Sequence, residues 1–262
     1  MERILLRKNY KDITILTLNS PKNLNALSEA MLEALKNAFL KIGQSKKVKA
    51  VVIRANGDAF CAGHDLKEMQ TFRDRKDGGK HYYQDLLAKC TYVMKLIREL
   101  PQPVIAEVQG VAAAAGCQLV ATCDIAVASE EASFGVNGVN IGLFCSTPMV
   151  ALSRNISRKK TFEMLTTGDF LDPFQAKEFG LVNKVLNCKD LSAGTIEIAE
   201  KIASKLSRAV KIGKEAFYKQ AEMEVEEAYA YTSSVMVENL LYKETEKGIN
   251  AFIRKKPQPK WE

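Results

Sequence analysis

The sequence predicts an α/β protein with largely parallel strand pairing in its first half and helices in the remainder. Three patterns lead there. Short β-branched or continuously apolar runs alternate with stripes of helical periodicity, each crossover is long enough to hold a helix, and strand-like runs nearly vanish after Thr147.

The elements follow in order. ITILTL at 13–18 is β-branched and alternating, hence a strand; SPKNLNALS then leads into a helix whose Met31, Leu35, Phe39 and Ile42 form one apolar stripe ending at Gly43. AVVIR at 50–54 reads as a short buried strand closed by the turn formers Asn56 and Gly57. After the loop DAFCAGHDLKEM, a polar, glycine-containing segment at 71–80 is expected to be mobile. The helix beyond it carries Leu86, Cys90, Val93, Ile97 and Leu100 and is stopped by Pro101 and Pro103. PVIAEV is the next strand, followed by an alanine run and a further strand, DIAVAS. Helices are then predicted at 148–156, at 158–167, after an Asp172 N-cap with Pro173 in the first turn and Gly180 past the end, at 191–206 and over 224–246.

Composition narrows the function classes. A chain of 262 residues with 47% hydrophobic content builds an extensive core. No run approaches the roughly 18 to 20 apolar residues that cross a bilayer. The start, MERILLRKNYKD, lacks a signal-peptide core or an Arg/Ser-rich transit segment. The expected setting is therefore the cytoplasm, or the mitochondrial matrix if the chain is a processed form, with no membrane partner. Cys61, Cys90, Cys117, Cys123, Cys145 and Cys188 form no C-x-x-C pairs and mostly sit in apolar stretches, so reduced thiols packed as small hydrophobes are expected and a zinc site is not. With His64 and His81 the only histidines, His-rich metal sites lack parts. The net charge of +7 suits an anionic partner. The basic stretches at 76–80 and 254–260 lack the interleaved aromatics of a single-strand binder, so no nucleic-acid partner is expected.

Two loops carry the chemistry. FCAGHD at 60–65 and VAAAAGCQ at 111–118 each follow a buried strand and are rich in residues that let the backbone come close to another group. Parallel strands would bring both to one end of the sheet, where α/β ligand sites lie, and a helix starting near Ala115 would add free amides and the positive end of its dipole. Such a place binds a carbonyl oxygen that becomes negative during reaction. A tight helix-strand contact would also demand alanine and glycine, and the second loop alone does not separate the two readings.

Together, SPKNLNALS, FCAGHDLKEM, PVIAEVQGVAAAAGCQL, CDIAVAS, GVNIGL, LTTGDFLDPFQAKEFGLVNKV and AFIRKKP resemble the enoyl-CoA hydratase/isomerase (crotonase) superfamily in order and spacing. GCQLVATCDIAVAS and NIGLFCSTPMVALSR narrow the likeness to one subgroup. The resemblance implies a crotonase-like fold of ββα units, with residues 1–195 as the α/β core and 196–262 as a helical trimerisation region, assembled as a homotrimer or a dimer of trimers. It implies an acyl-CoA thioester as partner and no separate cofactor, coenzyme A being part of the substrate. The backbone N–H groups of His64 and Ala115 would form the oxyanion hole. Lys22, Leu24, Ala62, Asp65 and Leu66 would surround the coenzyme, with Phe252 and Lys255 closing over the nucleotide from the same or a neighbouring subunit.

The sequence departs from that pattern where a typical hydratase of the family carries its two glutamates. Gln118 stands at the first position and Gly138 at the second, and Ser146 fills a third carboxylate position used by some isomerases. An amide orients water but cannot accept its proton. Each positioned acid or base contributes roughly 10² to 10⁴ in rate, so a severe loss of hydratase rate is expected while thioester polarisation is kept. Such a site suits a substrate that supplies its own leaving group, as in decarboxylation or carbon-carbon cleavage; the rival reading is an acyl-CoA-binding or regulatory homologue with little turnover. His81, Cys117, Cys145 and Glu68 are the possible substitutes, each with a structural reading beside it, and Asp124 reads as a structural residue at a strand start.

Overall fold

The computed structural model describes residues 3–261; residues 1, 2 and 262, the extremes of the two expected parts, lie outside the described residues. The chain runs β1 (Leu5–Tyr10), β2 (Ile13–Leu18), α1 (Glu29–Gly43), β3 (Ala50–Ala55), β4 (Ala59–Cys61), α2 (Leu66–Gln70), α3 (Lys80–Glu99), β5 (Val104–Val108), β6 (Val111–Ala113), α4 (Ala115–Thr122), β7 (Ile125–Ser129) and β8 (Ser133–Gly135). A 3-10 turn at Asn137–Ile141 leads to α5 (Pro148–Leu152), α6 (Arg158–Thr167), β9 (Phe170–Leu171), α7 (Pro173–Glu178), β10 (Lys184–Leu186), α8 (Leu191–Ala203), α9 (Ser207–Gln220), α10 (Val225–Leu240) and α11 (Lys243–Ile253).

Six strands form one sheet in the order β1-β2-β3-β5-β7-β10, antiparallel only between β1 and β2. Both faces are buried, which explains the continuous apolar runs. Leu16, Leu18, Val51, Ile53, Val104 and Ala106 point into the main core, while Ile13, Ile15, Ala50, Val52, Ile105 and Val127 pack with Leu191 and Ala199 of α8. A second sheet, β4-β6-β8-β9, has parallel pairing between β4 and β6 and between β6 and β8. Each of β3, β5 and β7 thus hands the chain to a short strand of the second sheet and then to a helical turn. These are the expected ββα units.

The differences from expectation have physical causes. β1 shows no buried period because it is an edge strand whose LLRKNY residues are mostly exposed. β4, β6 and β8 hide inside apparent loops because three residues are too few for periodicity. The helix expected at 224–246 breaks at Leu241 and Tyr242 into α10 and α11, and the one at 191–206 ends at Ala203. The 71–80 segment is pinned by Phe72, whose ring stacks on Tyr82 with centroids 3.6 Å apart. The expected boundary between residues 195 and 196 falls within α8, which lies across the six-stranded sheet; α9 to α11 follow it.

One buried ion pair fastens the helical end to the core. Asp124, just before β7, accepts from Val104 N and from Lys214 Nζ at 2.6 Å each, and from Tyr218 Oη at 2.7 Å. Lys214 spends its other two protons on the carbonyls of Ile97 (2.9 Å) and Gln102 (3.1 Å). Burial lowers the Lys214 pKa, opposed by the Asp124 charge, and raises that of Tyr218. Every donor in the cluster is matched, so removing one member strands the others. Lys214→Ala should cost about 3–5 kcal/mol in urea unfolding, and Tyr218→Phe about 1 kcal/mol.

Candidate functional site

Parallel pairing of β4 with β6, and of β6 with β8, sets the chain segments that follow these strands side by side at one sheet edge. After β4 come Ala62, Gly63 and His64; after β6, Ala114 and α4; after β8, the turn holding Gly138. The first two are in direct contact. A Cβ built on Gly63, whose φ is +93°, would lie 3.0 Å from Ala114 Cβ and 3.2 Å from Ala115 N. A Cβ on Gly116 would lie 2.0 Å from the Cys61 carbonyl oxygen. Glycine at both positions is what lets the two backbones touch.

The turn into α4 is strained. Ala114 adopts φ 48°, ψ −116° and donates its N–H to Gly135 O at 2.8 Å. A non-glycine residue in such a region costs on the order of 1–3 kcal/mol. The strain delivers Ala115 as the first residue of a helix in which all eight residues are buried. Among the described residues, the backbone N–H groups of Ala115 and His64 have no hydrogen-bond acceptor. Two free amides, one at a helix N-terminus, therefore meet in a region of low dielectric, suited to a developing oxyanion.

Leu24, Ala62, Asp65 and Leu66 share the same rim as this pair. Ala62 N donates to Leu24 O at 3.0 Å, Leu27 N to Gly63 O at 2.7 Å, and the Asp65 carboxylate caps α2 through Lys67 N and Glu68 N. Leu24 and Leu66 are half exposed, and Lys22 is exposed in the adjoining 3-10 turn. Phe252 and Lys255 are not brought to this rim. They lie at the end of α11, and the chain end beyond them is held before β3, where Lys49 Nζ donates to Trp261 O at 3.1 Å.

The residues at the acid/base positions are informative. Gln118 is 6% exposed and its Oε1 has no hydrogen-bond partner among the described residues. Gly138 is not merely a missing carboxylate, since a Cβ there would lie 2.3 Å from Leu143 O and 2.8 Å from Cys145 Sγ. The thiol of Cys145, to which the Gly138 backbone donates, fills that space. Ser146 is exposed and donates to Phe144 O.

The expected substitutes fare poorly. His81 is exposed and paired through Nδ1 to Asp77 at 2.7 Å. Glu68 accepts from Glu29 N at 3.1 Å, at the start of α1. Burial raises the Cys145 pKa and pushes the Cys117 thiol up to about 12, so neither is a thiolate at neutral pH. Asp124 is structural, as its residue type and place imply. A cavity of about 660 Å³ lies elsewhere, lined by Lys95, Arg98, Glu99, Lys211 and Glu222 among others. It holds none of these residues, and its mixed charges select no ligand.

Sequence reasoning valued His64 for its backbone and passed over its ring. Nδ1 lies 3.2 Å from the Leu27 carbonyl, which only accepts, so Nδ1 carries the hydrogen and Nε2 a free lone pair. Nε2 is buried without a partner among the described residues. Burial holds the imidazole pKa below its ordinary value, with the Leu27 carbonyl acting the other way. Below about pH 6.5 the unfolded chain binds a proton here that the folded chain refuses, so stability falls as pH drops through that window. His64→Gln should flatten this part of the stability profile between about pH 7 and 5 in thermal melts.

Likeness to known proteins extends over nearly the whole chain. The family model described as enoyl-CoA hydratase/isomerase matches residues 8–262. The mouse (Mus musculus) protein named enoyl-CoA hydratase domain-containing protein 3, mitochondrial, is 43% identical over 99% of this chain and 84% of its own length. The human (Homo sapiens) protein of that name is 46% identical over 94% and 79%. Among solved structures, an enoyl-CoA hydratase of Mycobacterium smegmatis superposes with a TM-score of 0.95 at 48% identity, covering 99% of both chains. Human enoyl Coenzyme A hydratase domain-containing protein 3 gives 0.93 at 43%, covering 98% of this chain and 100% of that one. From strand order to terminal helices, the chain belongs to the enoyl-CoA hydratase/isomerase family.

Proposed function

We propose that this protein binds an acyl-CoA thioester and polarises its carbonyl between the backbone amides of His64 and Ala115, so that chemistry runs through an enolate. The observation that carries the reading is the contact of Gly63 with Ala114 and Ala115, which sets two unpartnered amides together. The names of the relatives support the substrate class. Lys22, Leu24, Ala62, Asp65 and Leu66 line the coenzyme side, and Phe252 and Lys255 reach it from a neighbouring subunit. No further cofactor is required.

Assembly as a homotrimer, or a dimer of trimers, is part of the same reading. No residue of α10 or α11 is buried, and Tyr229, Met236, Leu241 and Phe252 are each more than 60% exposed. Apolar helices so bare need a partner surface, and residues beyond α8 supply the assembling part. Compartment follows the host. The animal relatives carry "mitochondrial" in their names, whereas the similar mycobacterial structure comes from a cell without that organelle. Among the described residues no helix is long and apolar enough to cross a membrane.

Ordinary hydration does not fit. Gln118 cannot take a proton from water, and Gly138 has no room for a side chain. This favours acyl-CoA chemistry in which the substrate supplies its own leaving group, such as decarboxylation or carbon-carbon cleavage. It equally motivates a second reading, a weak or inactive acyl-CoA-binding homologue. Calorimetry should detect acyl-CoA binding while crotonyl-CoA hydration stays near the solution background; absence of binding would sink the reading, and rapid hydration lost in Gln118→Ala would sink its account of Gln118. Because the Gly138 site is filled, Gly138→Glu should fail to raise hydration and should cost on the order of 1–3 kcal/mol of stability. The isosteric Gln118→Glu should raise hydration measurably in the same assay.

A further inference from the structure

We propose that the exposed apolar strip at residues 141–150, just after Gly138, receives α10 and α11 of a second copy of this chain, docked head to tail. The inference rests on the reading that the protein assembles through residues beyond α8, and it names the surface on which they dock.

The donor face is a stripe on one helix. Val225, Tyr229, Met236 and Leu240 recur at helical spacing, so they share one side of α10, and each is at least half exposed. The helix is held otherwise by α9 and α11. The receiving face lies on the 3-10 turn Asn137–Ile141, the loop behind it and α5, with the turn packed on α6 and α5 on α4. There Ile141 is 63% exposed, Leu143 50%, Val150 49% and Phe144 41%. Exposed apolar side chains grouped so closely mark an interaction surface. Both faces stay bare, so within one chain they do not cover each other.

Charge decides what covers them. In a chain with 26% charged residues, 132–153 is the longest stretch without Lys, Arg, His, Asp or Glu, and 228–237 within α10 is free of them too. Depletion of charge is what the core of a protein interface requires. The charged residues that α10 does carry are Glu226, Glu227 and Glu238, which an anionic lipid surface repels. Each face therefore calls for an uncharged, apolar protein surface, and the other face of the same chain is one.

Symmetry selects the arrangement. A two-fold contact of α10 with its own copy would hide one face and leave 141–150 bare. Head-to-tail docking hides both with a single kind of contact, and such a contact, repeated, closes into a ring, as a homotrimer requires. The same docking accounts for Phe252 and Lys255, which the fold keeps away from the rim of their own site. α11 follows α10 directly, and the receiving strip begins beside Gly138, so a docked α10 carries the end of α11 toward the neighbour's site.

The test uses Val150→Asp on the receiving face and Met236→Asp on the donor face, exposed positions at which circular dichroism should show an unchanged fold. Sedimentation reads the mass. The wild type should run as a multiple of three chains of 29.1 kDa, and each variant alone should fall to one third of the wild-type mass. Mixed in equal amounts, the two variants should rise to twice that, because each pair then holds one intact donor face and one intact receiving face. Wild-type mass retained by Val150→Asp, or no rise on mixing, would overturn the inference. If either variant does not fold, hydrogen exchange of the wild type above and below its dissociation concentration decides. Residues 141–150 and α10 must gain protection together, and protection of α10 alone overturns the inference. A wild type that stays a single chain would instead remove the assembly reading, and this inference with it.

Discussion

Everything at the site depends on one close approach, the N-terminus of α4 pressed against the end of β4. Gly116 sits where a single methyl group would meet the Cys61 carbonyl at 2.0 Å, and Gly63 where one would meet Ala114 and the Ala115 nitrogen. Parallel pairing of β4 with β6 makes the approach possible, and the glycines make it close. The left-handed Ala114 turn is its cost, tolerated because the pairing on either side and the Gly135 carbonyl over-determine it.

This contact ties electrostatics to packing. A helix buried along its full length cannot have its first amides solvated, so they carry their full dipole into the site. Negative charge placed there would be stabilised without reorganisation. The two positions expected to carry glutamates hold Gln118 and Gly138 instead. The second departure is structural as well as chemical, because the Cys145 thiol and the Leu143 carbonyl occupy the space beside Gly138. The His64 ring is held in one tautomer by the Leu27 carbonyl, on the segment that leads into α1.

The helical end is coupled to this arrangement through Asp124. Its carboxylate joins the start of β7 to β5 through Val104 and to α9 through Lys214 and Tyr218, so the sheet that orders the site also anchors the C-terminal helices. Sequence reasoning recognised Asp124 as structural from its place before an apolar run. It could not supply Lys214, ninety residues away, since nothing in a run of helix-forming residues marks which lysine turns inward.

Fold class and family were legible because they rest on local signals. The stripes of α1 and α3, the buried runs of β2, β3, β5 and β7, and the Asp172-Pro173 start of α7 each lie within one stretch of chain. The small-residue loops likewise named the two candidate amides. What only the tertiary structure decided depends on residues far apart in sequence: the three-residue strands that align the loops, the orphaned Nε2 of His64 and Oε1 of Gln118, and the filled space at Gly138. A residue type states which hydrogen bonds and contacts are possible. Which of them remain unmade or become impossible is fixed only when distant segments pack at van der Waals distance.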